Sequence, residues 1–166
     1  WRELDATCRK DPGGCDVLAI PHNPNESNGT QFLVPAAGTA ATEEDRQRAA
    51  LRAGMEPVLE VYQHKGDSEC MNGISGLGEP DELCDFEKLR TGEVEDCGDA
   101  VGSNGIIARG CVSRLDFLRG VLLAGLQEEA RLGVNPYRLG VIASTDTHNG
   151  TPGKVEEVSY SGHFGN

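Results

Sequence analysis

The chain has 166 residues, a formal net charge of −12 and only 5% aromatic residues. So acidic a chain is a poor partner for nucleic acid, because binding to the phosphate backbone needs clustered Lys and Arg. No apolar run approaches the roughly 20 residues that a membrane-spanning helix needs. With 22 glycines, the sequence predicts a single loop-rich domain over residues 1–166, with neither nucleic acid nor a membrane as its partner.

The six cysteines stand at positions 8, 15, 70, 84, 97 and 111, and no two of them have Cys-x-x-Cys spacing. A zinc ribbon is therefore not indicated. The count is even and high for a reducing compartment, which favours disulfides and a periplasmic or secreted location over a cytoplasmic one. The sequence alone leaves the pairing of the cysteines open.

The first predicted element is a strand over residues 15–20, whose apolar end runs directly into Pro21. A proline ends a strand because it has no backbone N–H to donate. His22 is therefore a polar residue just past an apolar strand. Taken alone, such a histidine is more often a loop or capping residue than a ligand.

A helix is predicted from its N-cap at Thr42 to Gly54, with an acidic first turn that suits the positive end of a helix dipole. The next predicted strand covers residues 57–64. Its period of two places Glu60 and His64 on the same face. A carboxylate buried on that face needs a metal ion or an arginine beside it, since an unpaired buried charge costs several kcal/mol.

Residues 66–112 show no sustained helical or strand period, and they are predicted to form a loop-rich insertion within the domain. We expect the part from Asp67 to Gly110 to fold over the ends of the strands. Lys65 lies just before this region and Arg109 lies near its end, and either cation is a candidate to hold anionic substrate oxygens.

The longest predicted helix opens at Ser113 and ends at Gly133. Its predicted apolar stripe consists of leucines at helical spacing, namely Leu115, Leu118, Leu122 and Leu126. A short apolar strand over residues 139–143 follows and is predicted to be buried and parallel to its neighbours. This order of helix and strand predicts a parallel α/β architecture.

Asp146 and His148 follow that strand two residues apart, so in extended backbone both would project from one face towards a single cation. His22 and His64 also follow predicted strands. Imidazole and carboxylate at the ends of parallel strands are the ligands that zinc, iron or manganese take in hydrolases. A structural metal, or polar strand ends without any metal, stay open as alternatives. His163, in a glycine-rich tail, is more plausible as a loop residue than as a ligand.

Five segments together resemble the bacterial family catalogued as domain of unknown function 3604: Ile20-Pro-His-Asn23, Tyr62-Gln-His-Lys-Gly-Asp-Ser-Glu-Cys70, Asp81-Glu-Leu-Cys-Asp-Phe-Glu87, Ser144-Thr-Asp-Thr-His-Asn-Gly-Thr-Pro-Gly153 and Tyr160-Ser-Gly-His163. That family in turn resembles the polymerase-and-histidinol-phosphatase (PHP) superfamily. The resemblance implies an α/β fold, a distorted (β/α)7 PHP-like barrel with long loop insertions. The superfamily's first motif, His-x-His, has no counterpart here, so we expect the C-terminal part of such a barrel.

The resemblance also implies a divalent-metal-dependent phosphoesterase that hydrolyses a small phosphate ester with the help of two or three Zn, Mn or Fe ions. The implied metal ligands are His22, His64, Asp146 and His148; Glu60 is added because it shares a strand face with His64. Asp146, His148 and Lys65 are the expected catalytic residues. The alternatives are a metal-dependent amide or sulfate ester hydrolase, and a non-catalytic metal-binding or interaction module.

Overall fold

The structure is a computed structural model that describes residues 1–10, 12–90, 92–102, 110–148 and 150. Within these residues there are three α-helices: α1 (Arg2–Leu4), α2 (Glu43–Met55) and α3 (Leu118–Leu132). The strands are β1 (Val58–Gln63), β2 (Gly66–Asp67), β3 (Glu95–Asp96), β4 (Cys111–Val112) and β5 (Gly140–Ala143). A π-helical turn covers Asp5–Arg9, and 3-10 helices cover Pro24–Glu26, Thr30–Phe32, Glu82–Asp85 and Arg114–Asp116.

The larger sheet has the strand order β2-β1-β5, in which β5 is parallel to β1 and β2 is antiparallel to it. Val58 lies opposite Gly140, and Glu60 lies opposite Ile142. The prediction of two parallel strands at these places, the second preceded by a helix, is confirmed. Since parallel strands end at the same edge, the residues that follow β1 and β5 lie side by side.

The fold of the described residues is mixed α/β, with this three-stranded sheet and a two-stranded sheet formed by β3 and β4. Those residues do not close into a barrel, so the PHP-like barrel that the resemblance implies stays a prediction. Across the same ranges, no helix is long and apolar enough to cross a membrane.

The main core lies between α3 and β1. Its buried side chains are Phe32, Leu59, Leu115, Leu118, Val121, Ala124 and Tyr137. The rings of Phe32 and Tyr137 meet edge to face with their centroids 5.4 Å apart, and the Arg52 guanidinium lies over both rings. Aromatic pairs in this arrangement are more stable than their buried area alone would give. This core supports β1, which leads directly to His64.

Helix α2 begins as the sequence predicts. Thr42 is its N-cap, with a capping box in which the Thr42 side chain accepts a hydrogen bond from the Asp45 backbone N–H and Asp45 accepts one from the Thr42 backbone N–H. These two bonds satisfy backbone donors that the first turn of a helix otherwise leaves free. The helix ends at Met55, one residue beyond the predicted end at Gly54.

The predicted apolar stripe of α3 is wrong in its second half. Leu122 and Leu126 are 39% and 60% exposed, whereas Val121 is fully buried. The segment before the helix also differs from expectation, because Arg114–Asp116 is a separate 3-10 turn and Phe117 has extended backbone, so α3 starts only at Leu118. From Leu118 onwards the buried face continues through Val121 and Gly125 instead of Leu122 and Leu126.

Two predicted strands differ from expectation. Residues 15–20 form no strand; their chain makes only isolated backbone bonds to its neighbours, such as the Ala19 N–H to the Met55 carbonyl at 2.7 Å. Leu18 and Ile20 are exposed there. Strand β5 is present, but its four residues are exposed instead of buried. Among the described residues, β1 is the one strand that pairs with it, and apolar composition does not reveal whether a strand has neighbours on its other sides.

The described part of the region 66–112 contains short elements, and four of its apolar side chains form a small cluster with Phe117, namely Met71, Ile74, Leu77 and Val112. It packs closely on the hairpin after β1: a Cβ at Gly66 would lie 2.6 Å from the backbone nitrogen of Leu89. Residues 87–89 therefore lie against that end of the sheet. The assignment of 66–112 as an insertion stays a prediction.

Three disulfides link cysteines that are close in the sequence, namely Cys8–Cys15, Cys70–Cys84 and Cys97–Cys111. The pairing that the sequence left open is therefore sequential. Disulfides form and persist mainly in oxidising compartments, so these three fit an extracellular setting.

Candidate metal centre

Three side chains meet at the shared end of β1 and β5: His64, Asp146 and His148. Their ligand atoms all lie within 4.8 Å of one another, and the rings of His64 and His148 have their centroids 4.8 Å apart. The position follows from the strands, because His64 comes directly after β1 while Asp146 and His148 follow β5. This is a group of residues that could hold a metal ion.

The backbone at Asp146 is left-handed, with φ of +51°, so the chain bends there and is not extended as expected. Aspartate is among the few residues that tolerate this conformation. The bend brings Nδ1 of His148 to 2.6 Å from the Asp146 carbonyl oxygen. Because a carbonyl oxygen only accepts, Nδ1 carries the proton and donates, and the Nε2 lone pair of neutral His148 is left for a metal.

His64 is buried, with Nε2 at 2.9 Å from Oδ2 of Asp146. Two ligands that each bind a metal at about 2.1 Å are about 3.0 Å apart at the right angle of an octahedral site and about 3.4 Å apart at the angle of a tetrahedral site. The observed pair therefore already has the spacing of adjacent ligands. Nζ of Lys65 lies 2.8 Å from His64 Nε2 and 3.4 Å from Asp146 Oδ2.

The electrostatic surroundings of the cluster favour the protonation states that bind a metal, namely a neutral His64 and an ionised Asp146. Burial, followed by the charge of Lys65, lowers the pKa of His64 below its ordinary value, so the imidazole is neutral near pH 7. Burial acts to raise the pKa of Asp146, but the hydrogen bond and charge of Lys65 act against burial, and the pKa is held below its usual range. A neutral imidazole and an ionised carboxylate are the forms that bind a cation.

Glu60 lies beside the cluster but is not part of it. Its pKa is raised first by burial and then by the charge of Asp146, while the charge of His22 acts in the opposite direction. Ser144 Oγ donates to Glu60 Oε1 at 3.4 Å. Glu60 is thus within electrostatic reach of both Asp146 and His22.

His22 is exposed, and its carbonyl oxygen accepts a hydrogen bond from Gln31 Nε2 at 2.8 Å. Of the five predicted metal ligands, the structure therefore brings three together and leaves Glu60 and His22 outside that group. Arg109 and His163, the other residues singled out in the sequence, lie outside the described residues. Ser144 was missed, although the polar run that starts directly after β5 is a signal for it.

The fold and the cluster define a class: a mixed α/β protein with a His/Asp group, able to hold a metal ion, where two parallel strands end. The chain belongs to the family described as protein of unknown function (DUF3604), which matches residues 1–166. No curated protein and no solved structure matches the chain.

Proposed function

We propose that this protein is a divalent-metal-dependent hydrolase, and specifically a phosphoesterase acting on a small phosphate ester. The convergence of His64, Asp146 and His148 within 4.8 Å supports this proposal. Two imidazoles and one carboxylate form a ligand set that suits zinc, manganese or iron. These residues lie at the carboxyl ends of two parallel strands, which is where α/β proteins bind their ligands.

The residues present fit a metal ion on two counts. The spacing of His64 Nε2 and Asp146 Oδ2 is 2.9 Å, close to that of adjacent ligands. His148 is oriented by its own Nδ1 bond to a backbone carbonyl, as metal-binding histidines usually are. We propose two or three ions in all on the resemblance to the PHP superfamily, with Glu60 and His22 as the further ligands that this resemblance implies.

A divalent cation at this site supplies Lewis acidity and lowers the pKa of a bound water towards neutrality. The protein's part is to hold and orient. His64 and Asp146 would fix the cation against β1 and β5, and the bend at Asp146 aims His148 at the same point. Lys65 is suited to donate charge-assisted hydrogen bonds to anionic substrate oxygens.

An anionic substrate fits these surroundings better than a neutral one. Lys65 is a cation within 3.4 Å of Asp146, at the point where an ester would be held. This arrangement favours a phosphate ester, and it favours a sulfate ester over an amide as the alternative.

Metal reconstitution tests the proposal. The full chain would be stripped of metal with a chelator, loaded separately with Zn²⁺, Mn²⁺ or Fe²⁺, and tested for bound metal by elemental analysis. We expect about one tightly bound ion or more per chain, and hydrolysis of one class in a panel of phosphate monoesters, phosphate diesters, sulfate esters and amides.

The controls are His64→Ala and His148→Ala, each of which removes one ligand and should lower both metal content and hydrolysis together. Bound metal without hydrolysis of any ester or amide would identify a metal-binding module. A chain that binds no metal would show that the proposal is wrong.

We also propose a periplasmic or secreted location, supported by the three disulfides. Fractionation of cells that produce the protein, with thiol labelling of each fraction, tests it. Fully oxidised protein outside the cytoplasm is the expected result.

A further inference from the structure

Lys65 stands where a metal ion would have to enter. Its Nζ, His64 Nε2 and Asp146 Oδ2 form a triangle with sides of 2.8, 2.9 and 3.4 Å. The His64 side chain is fully buried, whereas the side chains of Lys65 and Asp146 are 29% and 38% exposed, so the side of Lys65 and Asp146 is the more open approach to Nε2. The ammonium is therefore the cation that both candidate ligands now face.

An imidazole nitrogen without a proton has one lone pair, which lies in the plane of the ring. At His64 Nε2 that lone pair can accept an N–H bond from Lys65 or bind a metal, but not both. The carboxylate of Asp146 has further lone pairs, yet an ammonium beside it repels a dication that approaches the same oxygen. Lys65 and a metal ion thus exclude one another at this pair of atoms.

We propose that Lys65 is an internal counter-cation of this centre, which the metal displaces, and that the displaced ammonium forms part of a site for a tetrahedral oxyanion. The inference rests on the proposed metal function and adds to it a coupling between cation and anion. Lys65 keeps the metal-free centre neutralised, and the arriving cation takes over both His64 and Asp146.

The displaced ammonium needs a new anion nearby. Its stem of four carbons allows it to turn away from His64 while it stays near the centre, and its side chain is already 29% exposed. A tetrahedral dianion can contact the metal on one side and the ammonium on the other, and so relieve their mutual repulsion. By linkage, the anion then raises metal affinity by the same factor by which the metal raises anion affinity.

Glu60 is the rival for the displaced ammonium, because its charge already interacts with that of Lys65. If Lys65 turned to Glu60, the metal would still displace it, but no oxyanion would be needed. The two destinations differ in one measurable way, which is whether an added oxyanion changes the affinity for metal.

Calorimetric titration of the metal-free full chain with Mn²⁺, in the presence and absence of sulfate, tests the proposal. In Lys65→Met the competitor is gone, and we expect Mn²⁺ to bind about tenfold more tightly than to the wild type without sulfate. Sulfate should tighten Mn²⁺ binding to the wild type severalfold and leave Lys65→Met unchanged. Lys65→Arg keeps the charge and should remain close to the wild type.

The matched control is Lys10→Met, since Lys10 is an exposed lysine paired with Asp5. It should change neither the Mn²⁺ affinity nor the effect of sulfate. Circular dichroism and thermal melting of each variant would show that the fold is kept.

Three results would count against the inference, and they are distinguishable. Equal Mn²⁺ affinity in the wild type and Lys65→Met would overturn the competition while leaving the proposed function intact. Tighter binding in Lys65→Met without any sulfate effect on the wild type would overturn the oxyanion coupling and favour Glu60. Failure of both proteins to bind Mn²⁺ or any other divalent ion would overturn the proposed function, and the inference with it.

Discussion

Asp116 lies at the end of the 3-10 turn Arg114–Asp116 and is 1% exposed, whereas Asp146 lies beyond β5 with its side chain 38% exposed. Oδ1 of Asp116 accepts hydrogen bonds from Ser27 Oγ at 3.0 Å and from the Gly29 backbone N–H at 2.5 Å. Asp146 faces Lys65 instead. One carboxylate is thus held mainly by neutral donors, the other by a cation.

The surroundings move the two pKa values in opposite directions. Burial raises the pKa of Asp116 to about 6, although the bonds from Gly29 and Ser27 and the charge of Arg90 act against it. The hydrogen bond and charge of Lys65 outweigh burial at Asp146 and lower its pKa. Asp116 therefore ties the loop at residues 27–29 to the 3-10 turn, while Asp146 offers a negative charge that a metal can take over.

The largest effect is expected from Asp116→Ala. The substitution leaves the Ser27 hydroxyl and the Gly29 N–H buried without their acceptor, and the free energy of unfolding should fall by about 3 kcal/mol. Urea denaturation followed by circular dichroism measures it. Metal affinity of the folded fraction should not change; a variant that loses metal but keeps its stability would reverse the roles assigned to the two aspartates.

Asp146→Asn should have the complementary effect. Asparagine tolerates the left-handed backbone at this position, so stability should stay within about 0.5 kcal/mol of the wild type. The loss of a ligand charge should weaken metal binding, and slow hydrolysis at limiting metal, by at least about a hundredfold, with part of the rate restored by excess Mn²⁺ or Zn²⁺.

Asp16→Asn is the control for this change, because Asp16 is an exposed aspartate outside the cluster. Calorimetric titration and melting curves of both variants provide the readout. If Asp146→Asn kept full metal content and melted many degrees lower, Asp146 would be a turn carboxylate, and the metal centre would lose its anionic ligand.

Asp116 and Asp146 should also differ in how their contributions to the free energy of unfolding depend on pH. The folded pKa of Asp116 is about 6, above the ordinary value of 3.8, so between these values the folded state binds more protons than the unfolded state. Its contribution to stability is therefore full below pH 3.8 and is lost as pH rises through 6. We expect the difference in unfolding free energy between wild type and Asp116→Asn to fall by about 2 kcal/mol from pH 4 to pH 7.

Denaturation at several pH values measures that slope. Asp146 has a lowered pKa, so its contribution runs the other way and is lost as pH falls. A flat difference between the wild type and Asp116→Asn would mean that Asp116 titrates as an ordinary exposed carboxylate.

The smallest effect is expected from Ser27→Ala, which removes one neutral donor to Asp116. Loss of this single hydrogen bond should lower the free energy of unfolding by about 1 kcal/mol. A double-mutant cycle with Asp116→Asn provides the check, because the serine should matter less once the carboxylate is gone. Full additivity would show that the two side chains do not interact.

Sequence patterns named all three residues of the cluster, His64, Asp146 and His148. Apolar strands followed by His64 and by Asp146 predicted that these residues meet, since parallel strands end at one edge. The bend at Asp146 was not predictable, because the extended backbone of the strand was expected to continue through Asp146 to His148. The contact between Lys65 and His64 also depends on side-chain directions that no spacing rule gives for adjacent residues.

Burial was the least predictable property. Asp116 looked like part of a helix N-terminus, yet the loop from residue 27 covers it, and that loop is nearly ninety residues away in the chain. Leu126 and Val141 looked like core residues and are exposed. The spacing of apolar residues along a segment predicts which face of a helix or strand is apolar. It does not predict whether that face is buried, because the elements that cover it lie far away in the sequence.

The sequential pairing of the six cysteines has a consequence for the protein after its backbone is cut. A protease that cleaves once between Cys70 and Cys84, or once between Cys97 and Cys111, leaves two pieces that remain covalently joined. A single cut between Cys15 and Cys70 releases them, because none of the three bonds spans that stretch. Limited digestion compared on reducing and non-reducing gels would therefore separate cuts inside a disulfide loop from cuts outside one, and β1 with His64 lies in the stretch between Cys15 and Cys70 that no disulfide spans.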